Sequence, residues 1–195
     1  MFDPSLKTYA VSLHFPHDVS SIITSAVSSI ADATGNHHII ENKIPPHITI
    51  GAFHASPAEE TKLLQLVEEF ARNQKPGIVH FTEIEHFKGK VLFLKPEKDD
   101  FLSILNAELH SILLPLFEKA ENGFYLPEIW FPHTSLATRL NPNQFEKAKE
   151  IASQITLPLT AEIHEIGFYQ CSPFLELKKI RVGGWDEGKS GIILN

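Results

Sequence analysis

The chain has a single cysteine, Cys171, among its 195 residues. One cysteine can form no disulfide within the chain, and it cannot build a zinc site that needs several thiolates. The segment Met1 to Pro4 also lacks the basic stretch and apolar run of an export signal. We therefore expect a protein of the cytoplasm.

Long apolar runs and an excess of basic residues are missing as well. No stretch approaches the roughly 18 apolar residues that a membrane span needs, so we expect no membrane partner. Lys and Arg number 17 against 24 Asp and Glu, which gives a net charge of −7 and a pI near 5.9. Because long nucleic acids bind through many neutralised phosphates, a long RNA is not an expected partner. A few local cations can still hold a small nucleotide or an RNA terminus.

Metal-binding patterns are absent from the sequence although it contains 11 histidines. No H-E-x-x-H or similar ligand spacing occurs, so we expect neither a metal site nor another cofactor. With 43% hydrophobic residues the chain can bury a substantial core. We expect residues 1–195 to form one domain of two lobes and the protein to be a monomer.

The most informative pattern is a histidine followed two residues later by a hydroxyl, which occurs twice after a proline. The two motifs are His47-Ile48-Thr49 and His133-Thr134-Ser135, on predicted strands near residues 45–53 and 130–138. Residues i and i+2 of a strand share a face, so each motif places an imidazole beside a hydroxyl. A helix start with proline follows each motif, at Ser56-Pro57 and at Asn141-Pro142.

This pair of H-x-[ST] motifs resembles the signature of the two-histidine (2H) phosphoesterases, which include LigT-type 2′-5′ RNA ligases and phosphodiesterases of 2′,3′-cyclic phosphates. The resemblance implies a bilobal fold and a mechanism without metal. His47 and His133 would be catalytic, and Thr49 and Ser135 would bind the phosphate. Two imidazoles with pKa near 6.5 can act as general base and general acid at neutral pH. With a ribose hydroxyl as nucleophile, the same groups would join RNA ends.

The order helix, motif strand, helix, hairpin is predicted twice along the chain. We therefore predict an α+β, bilobal, pseudo-duplicated fold, with two antiparallel sheets flanked by helices around a central cleft. The sequence also predicts individual elements. One helix starts with a Ser56/Glu59 capping box and another starts at Asp99. A loop is expected at His37-His38, a hairpin turn at Lys88-Gly89, and single strands at 157–169 and 174–182.

Further candidates follow from strand parity. Lys43 is an even number of residues from His47, and Arg139 from His133, so each would project from the same strand face as that histidine and could add positive charge near a phosphate. Phe131 shares the face of His133 in the same way and could stack a base. For all three, an ordinary surface or core role is the simpler interpretation. His54 has the opposite parity and should face away from the site. We expect the remaining strand and helix histidines, His14, His80, His86, His110 and His164, to be packed or surface residues, and Tyr9, Phe168 and Tyr169 to lie outside the site.

The segment Glu118 to Pro127 precedes the second motif and is either a lid or a plain surface connection. Three functions remain open: a cyclic phosphodiesterase or RNA-end ligase, a non-catalytic module that binds nucleotides or RNA ends, and a metalloenzyme. The matched acid and base favour the enzyme without metal, because binding alone needs neither. The sequence does not distinguish RNA ends, mononucleotides and ADP-ribose cyclic phosphates as substrates.

Overall fold

The computed structural model describes residues 5–97 and 99–183, so Met1 to Pro4 and the tail after residue 183 lie outside the described residues. The helices are α1 (His17–Thr34), α2 (His38–Glu41), α3 (Glu60–Asn73), α4 (Asp100–Leu113) and α5 (Pro142–Ala152). The strands are β1 (Lys7–His14), β2 (His47–Ala55), β3 (Gly77–Phe87), β4 (Val91–Pro96), β5 (Glu118–Lys119), β6 (Thr134–Ala137), β7 (Leu159–Ile163), β8 (Glu165–Cys171) and β9 (Phe174–Arg181).

Two antiparallel sheets organise the fold, as predicted. One has the order β5-β2-β1-β8-β9 and the other the order β6-β4-β3-β7. The two halves of the chain are interleaved, because the first motif strand, β2, shares a sheet with the late hairpin β8-β9. The second motif strand, β6, shares the other sheet with the early hairpin β3-β4. Each sheet therefore needs strands from both halves.

One hydrophobic cluster joins both sheets to the helices. Its members include Val11 and Ile48 from the first sheet and Phe81 and Leu94 from the second, all at most 1% exposed. Helix α1 adds a stripe at helical spacing that includes Val19, Ile23, Val27 and Ile30. Burying each such side chain stabilises the fold by about 1.5–3 kcal/mol. No helix within the described ranges is long and apolar enough to cross a membrane.

Several local predictions are confirmed by turn and cap geometry. Lys88 and Gly89 both have positive φ, 49° and 67°, as a two-residue hairpin turn requires. The Asp99 carboxylate accepts a hydrogen bond from the Leu102 amide at the start of α4. Asn141 forms a full capping box with Gln144 at the start of α5.

The predicted helix start at Ser56 is wrong, because α3 begins at Glu60. The Ser56 hydroxyl donates to Glu59 Oε2 at 2.6 Å, and the Ser56 amide donates to the same oxygen at 2.9 Å. The hydroxyl therefore does not accept from the helix amides as a cap would. Residues 57–59 form a turn instead.

The single strand predicted for residues 157–169 is also wrong. It is two strands, with β7 paired to β3 in one sheet and β8 paired to β1 in the other. The apolar pattern continues through both strands, so the sequence does not mark the change of sheet at His164. The carbonyl of His164 accepts from the Val182 amide, which satisfies the backbone at this switch. In addition, His38–Glu41 is a short helix where we predicted a loop.

Candidate active site

The two motifs meet in the structure although they lie in different sheets. The Thr134 hydroxyl donates to the His47 carbonyl at 3.0 Å, and the Trp130 indole N–H donates to the Thr49 carbonyl at 3.1 Å. His47 and Ser135 line one cavity of about 440 Å³. The middle residue of the second motif therefore fixes the first motif in place, and neither Thr134 nor Trp130 was among the predicted site residues.

The ring of each motif histidine is held by the same kind of hydrogen bond, from Nδ1 to a backbone carbonyl. Nδ1 of His47 lies 2.7 Å from the Pro45 carbonyl, and Nδ1 of His133 lies 2.9 Å from the Phe131 carbonyl. A carbonyl only accepts, so Nδ1 carries the proton in each ring and Nε2 is left for a ligand. The proline between each histidine and its carbonyl has a fixed φ and no amide, which stiffens this small loop.

Burial lowers the pKa of both histidines. His47 and His133 are half-buried, and removal from water disfavours the charged imidazolium. The hydrogen bonds to the carbonyls of Pro45 and Phe131 oppose this effect, and the charge of His133 lowers the pKa of His47 further. Both rings therefore stay neutral to lower pH than a free histidine, and a bound anion would oppose that shift.

Each motif strand carries a β-bulge at the third residue after its histidine. On β2, Thr49 and Gly51 pair with Ser12 and Val11, so Ile50 is the extra residue. On β6, the register likewise skips Leu136. A bulge inverts the alternation of side chains beyond it. The side chain of Asn106 donates to the Ile50 carbonyl at 2.8 Å and thereby satisfies part of the first bulge.

The bulge in β2 and the early end of β6 overturn two predictions from strand parity. His54 lies on the same face as Thr49, because it pairs with Thr8 and its Nδ1 is 3.2 Å from the Thr8 hydroxyl. The prediction that His54 faces away is wrong. The second motif strand spans only Thr134–Ala137, so Arg139 lies beyond it at an exposed bend with a φ of 57°. Strand parity therefore gives no reason to place Arg139 at the site.

Lys43 and Phe131 also lie outside the strands on which their parity was counted. Lys43 has a φ of 52° in the turn after α2, yet it lines the 440 Å³ cavity together with His47 and Ser135. Phe131 precedes β6 and lines a different cavity of about 480 Å³. Its ring contacts Phe87 and Phe93, whose centroids both lie 5.1 Å from that of His133. Phe131 thus belongs to an aromatic cluster that supports His133.

A smaller cavity of about 180 Å³, which we call the aromatic cavity, also borders His47. Its lining includes Ser12, Thr49, Glu121, Tyr125, Tyr169 and Phe174. Ser12 Oγ lies 3.4 Å from Thr49 Oγ1, and Tyr125 also forms a hydrogen bond with the Thr49 side chain. The sequence prediction omitted this cavity. One available signal was Ser12-Leu13-His14, which has the same i, i+2 pairing of hydroxyl and imidazole as the motifs.

The segment 118–127 is neither loose nor without structure. Strand β5 pairs with β2, and a 3-10 turn at Glu121–Gly123 follows it. Glu121 and Tyr125 of this segment reach the aromatic cavity. The segment therefore forms a wall beside His47, which corrects the interpretation as a plain surface connection.

His14 is a packed residue, as predicted, but it packs against the site. Its ring is 5% exposed, and its centroid lies 6.5 Å from that of His47. Nε2 of His14 lies 2.7 Å from the Tyr169 hydroxyl, and the ring also donates to the Pro46 carbonyl. Burial lowers the pKa of His14 to about 3, so the ring is neutral and its Nε2 accepts a hydrogen bond from the Tyr169 hydroxyl. A methyl group at Gly167 would overlap both rings, so glycine makes room for the pair.

Together these contacts supply groups for acid–base chemistry. His47 lines both cavities, with Thr49 in the smaller one and Ser135 in the larger one. His133 is near enough for its charge to lower the pKa of His47. Within residues 5–97 and 99–183, no three His, Cys, Asp or Glu side chains come together as metal ligands.

Comparison with known proteins identifies the family and a shared fold. Residues 21–172 match the family model of the 2′-5′ RNA ligase superfamily. No curated protein matches the chain. E. coli LigT complexed with 3′-AMP has a similar fold, with a TM-score of 0.61 at 12% identity over 92% of this chain and 99% of LigT. TT0787 of Thermus thermophilus gives a TM-score of 0.58 at 18% identity, over 91% and 98% of the two chains. The family match covers more than half of the chain, which therefore belongs to the 2′-5′ RNA ligase superfamily.

Proposed function

We propose that the protein is a phosphoesterase that opens 2′,3′-cyclic phosphates on nucleotides or RNA ends without a metal. The observation that carries this proposal is the matched pair of imidazoles, each with Nδ1 held by a backbone carbonyl and Nε2 left for the substrate. Such a pair supplies one base and one acid to the same phosphorus. A binding module needs hydrogen-bond donors but no such pair.

In the proposed reaction, a water molecule attacks phosphorus while one histidine takes its proton at Nε2. The bond from phosphorus to one ribose oxygen breaks, and the other histidine donates its proton to that oxygen. The product is a phosphomonoester beside a free ribose hydroxyl. The two histidines have then exchanged protonation states, and solvent restores them. With the 5′-hydroxyl of a second ribose in place of water, the same ring opening breaks the bond from phosphorus to the 3′-oxygen, protonates that oxygen and leaves a 2′-5′ bond.

Charge that develops on the non-bridging phosphate oxygens needs donors at the site. The hydroxyls of Thr49 and Ser135 fill this role, and Lys43 adds a positive charge to the cavity that His47 and Ser135 share. The phosphate itself stabilises the protonated histidine, because an opposite charge raises the pKa that burial has lowered. Substrate binding thus prepares the general acid.

The substrate class is supported by the family and by the size of the site. E. coli LigT, which has a similar fold, has been solved with 3′-AMP, with phosphate, with ATP and with NADP+. Cavities of about 180 and 440 Å³ flank His47 and suit the parts of one nucleotide or an RNA terminus. A net charge of −7 disfavours a long RNA.

The test is a panel of cyclic phosphates incubated with the protein in EDTA, with 2′- and 3′-monophosphates separated as products. We expect hydrolysis in EDTA at the rate seen without it, because imidazoles carry the protons and protein donors hold the charge. Activity that disappears in EDTA and returns with a divalent ion would contradict the mechanism. Binding of the cyclic phosphates without turnover would favour the non-catalytic module.

A further inference from the structure

The two cavities that border His47 differ in charge. In the described part of the chain, the lining of the aromatic cavity includes one carboxylate, Glu121, and no lysine or arginine. The 440 Å³ cavity contains Lys43 and no carboxylate in its lining. A carboxylate repels a second phosphate, so the group that enters the aromatic cavity is not anionic. The two cavities therefore suit different parts of the substrate.

The aromatic cavity is small and has two stacked rings in its lining. Its volume of about 180 Å³ is below the roughly 300–1,000 Å³ of pockets that enclose whole drug-sized ligands. The rings of Tyr169 and Phe174 stack at 5.0 Å with an interplanar angle of 17°, and Phe174 is the more exposed of the two. Bases of single-stranded nucleic acids stack on such aromatic surfaces.

The backbone that carries Glu121 is held in an unusual conformation. Glu121, Asn122 and Gly123 have φ values of 49°, 53° and 75°, three left-handed residues in succession. Such a conformation costs free energy at non-glycine residues and persists only where the surroundings impose it. The Ala120 amide donates to the Ala52 carbonyl at 2.9 Å and anchors this turn to β2. Burial raises the pKa of Tyr125 and of Cys171, which line the same cavity, and the charge of Glu121 raises both further.

We propose that the aromatic cavity binds the base of the substrate and that Glu121 selects guanine. This inference rests on the proposed function. A carboxylate offers two acceptor oxygens and no donor. Guanine alone presents two adjacent donors on one edge, N1–H and the N2 amine, which match those oxygens. Adenine, cytosine and uracil place an acceptor beside each donor on the corresponding edge, and that acceptor would face the carboxylate.

The experiment compares kcat/KM for the 2′,3′-cyclic phosphates of guanosine, inosine, adenosine, cytidine and uridine. Because a hydrogen bond to a charged group is strong, we expect guanosine to exceed the other three natural nucleosides by about 10- to 100-fold. Inosine lacks the N2 amine and should fall between. Glu121→Gln keeps the size of the side chain but turns a donor toward guanine. It should remove most of the guanosine preference, measured as the ratio of kcat/KM for guanosine to that for uridine.

Glu118→Gln is the matched control, because this exposed glutamate lies on β5 outside the lining of the cavity. It should preserve the guanosine preference. Equal preference in the wild type and in Glu121→Gln would overturn the inference while leaving the phosphoesterase function intact. If the wild type hydrolyses no substrate, the proposed function fails. The inference about guanine is then tested by measuring the affinities of 3′-GMP and 3′-UMP by calorimetry. A guanine preference lost in Glu121→Gln would support it, and equal affinities would overturn it.

Discussion

The hydrogen bond from Nδ1 of each motif histidine to a backbone carbonyl decides what the site can do. It fixes the tautomer, so Nε2 is the nitrogen left for a substrate in both rings. The spacing of histidine and hydroxyl could be recognised from the sequence. The carbonyl partners could not, because they depend on the shape of the loops at Pro46 and Pro132.

Replacement of either motif histidine tests whether the two act together. We expect His47→Ala and His133→Ala each to reduce kcat by several orders of magnitude, and the double variant to be little worse than either. Groups that serve one concerted transfer are not additive. Single-turnover hydrolysis of a cyclic phosphate measures this, after circular dichroism has shown that the variants are folded. His80→Ala is the control, since His80 is exposed on β3 and contacts Thr160.

The hydroxyls should matter less than the imidazoles. Thr49→Ala and Ser135→Ala each remove one donor to the phosphate, and a loss of about 10- to 1,000-fold in kcat is expected. Thr49→Ser and Ser135→Thr retain the donor and should restore most of the activity. If the conservative variants were as slow as the alanine variants, the hydroxyls would act through packing and not through the phosphate.

The dependence of rate on pH follows from the lowered pKa of His47 and His133. In the free enzyme one ring must be neutral and the other protonated, so kcat/KM should be bell-shaped with its maximum on the acid side of 6.5, the ordinary histidine pKa. Bound phosphate raises the pKa of the histidine that acts as general acid. The fall in kcat on the basic side should therefore occur at higher pH than the corresponding fall in kcat/KM. A kcat/KM maximum well above pH 7 would contradict this assignment.

At the level of elements, the chain's motif strands were predictable but their bulges were not. The alternation of apolar and polar residues indicated β2, and the proline-capped start of α5 was read correctly. The bulges at Ile50 and Leu136 depend on partner strands far along the chain and on the side chain of Asn106. For this reason parity failed at His54, after the first bulge, whereas at Arg139 it failed because β6 ends at Ala137.

Gly167 of strand β8 has no side chain, which leaves room for His14 and Tyr169 to pack together. We expect Gly167→Ala to destabilise the fold by about 1–3 kcal/mol, because the methyl group would push apart His14 and Tyr169. Activity should fall as well, since His14 holds the Pro46 carbonyl beside the His47 loop. Urea denaturation and kcat measure the two effects.

Tyr169→Phe provides the comparison for that variant. It removes only the hydroxyl that donates to His14 and adds no volume, so it should destabilise less than Gly167→Ala. A Gly167→Ala variant as stable and active as the wild type would show that the strand can move aside. The pairing of His14 with Tyr169 would then be unimportant for His47.

For the whole molecule, buried neutral histidines make stability depend on pH. His14 and His110 are 5% and 2% exposed, and burial lowers the pKa of both, that of His14 to about 3. In the unfolded chain these rings bind protons near pH 6.5. The unfolded state therefore binds more protons than the folded state as the pH falls below 6.5. The histidine contribution to stability is complete above that pH and is lost on acidification.

We expect the free energy of unfolding to fall between pH 7.5 and 5.5, as measured by urea denaturation at several pH values. One histidine that stays neutral contributes a slope of up to about 1.4 kcal/mol per pH unit below its unfolded pKa. His14→Gln keeps a donor for the Pro46 carbonyl but does not titrate, so it should make the slope shallower by about that amount. The slope is the decisive quantity, because the substitution can also lower stability equally at every pH. An unchanged slope in His14→Gln would mean that His14 is protonated in the folded protein, with Nε2–H donating to Tyr169 and the phenol donating to Glu176.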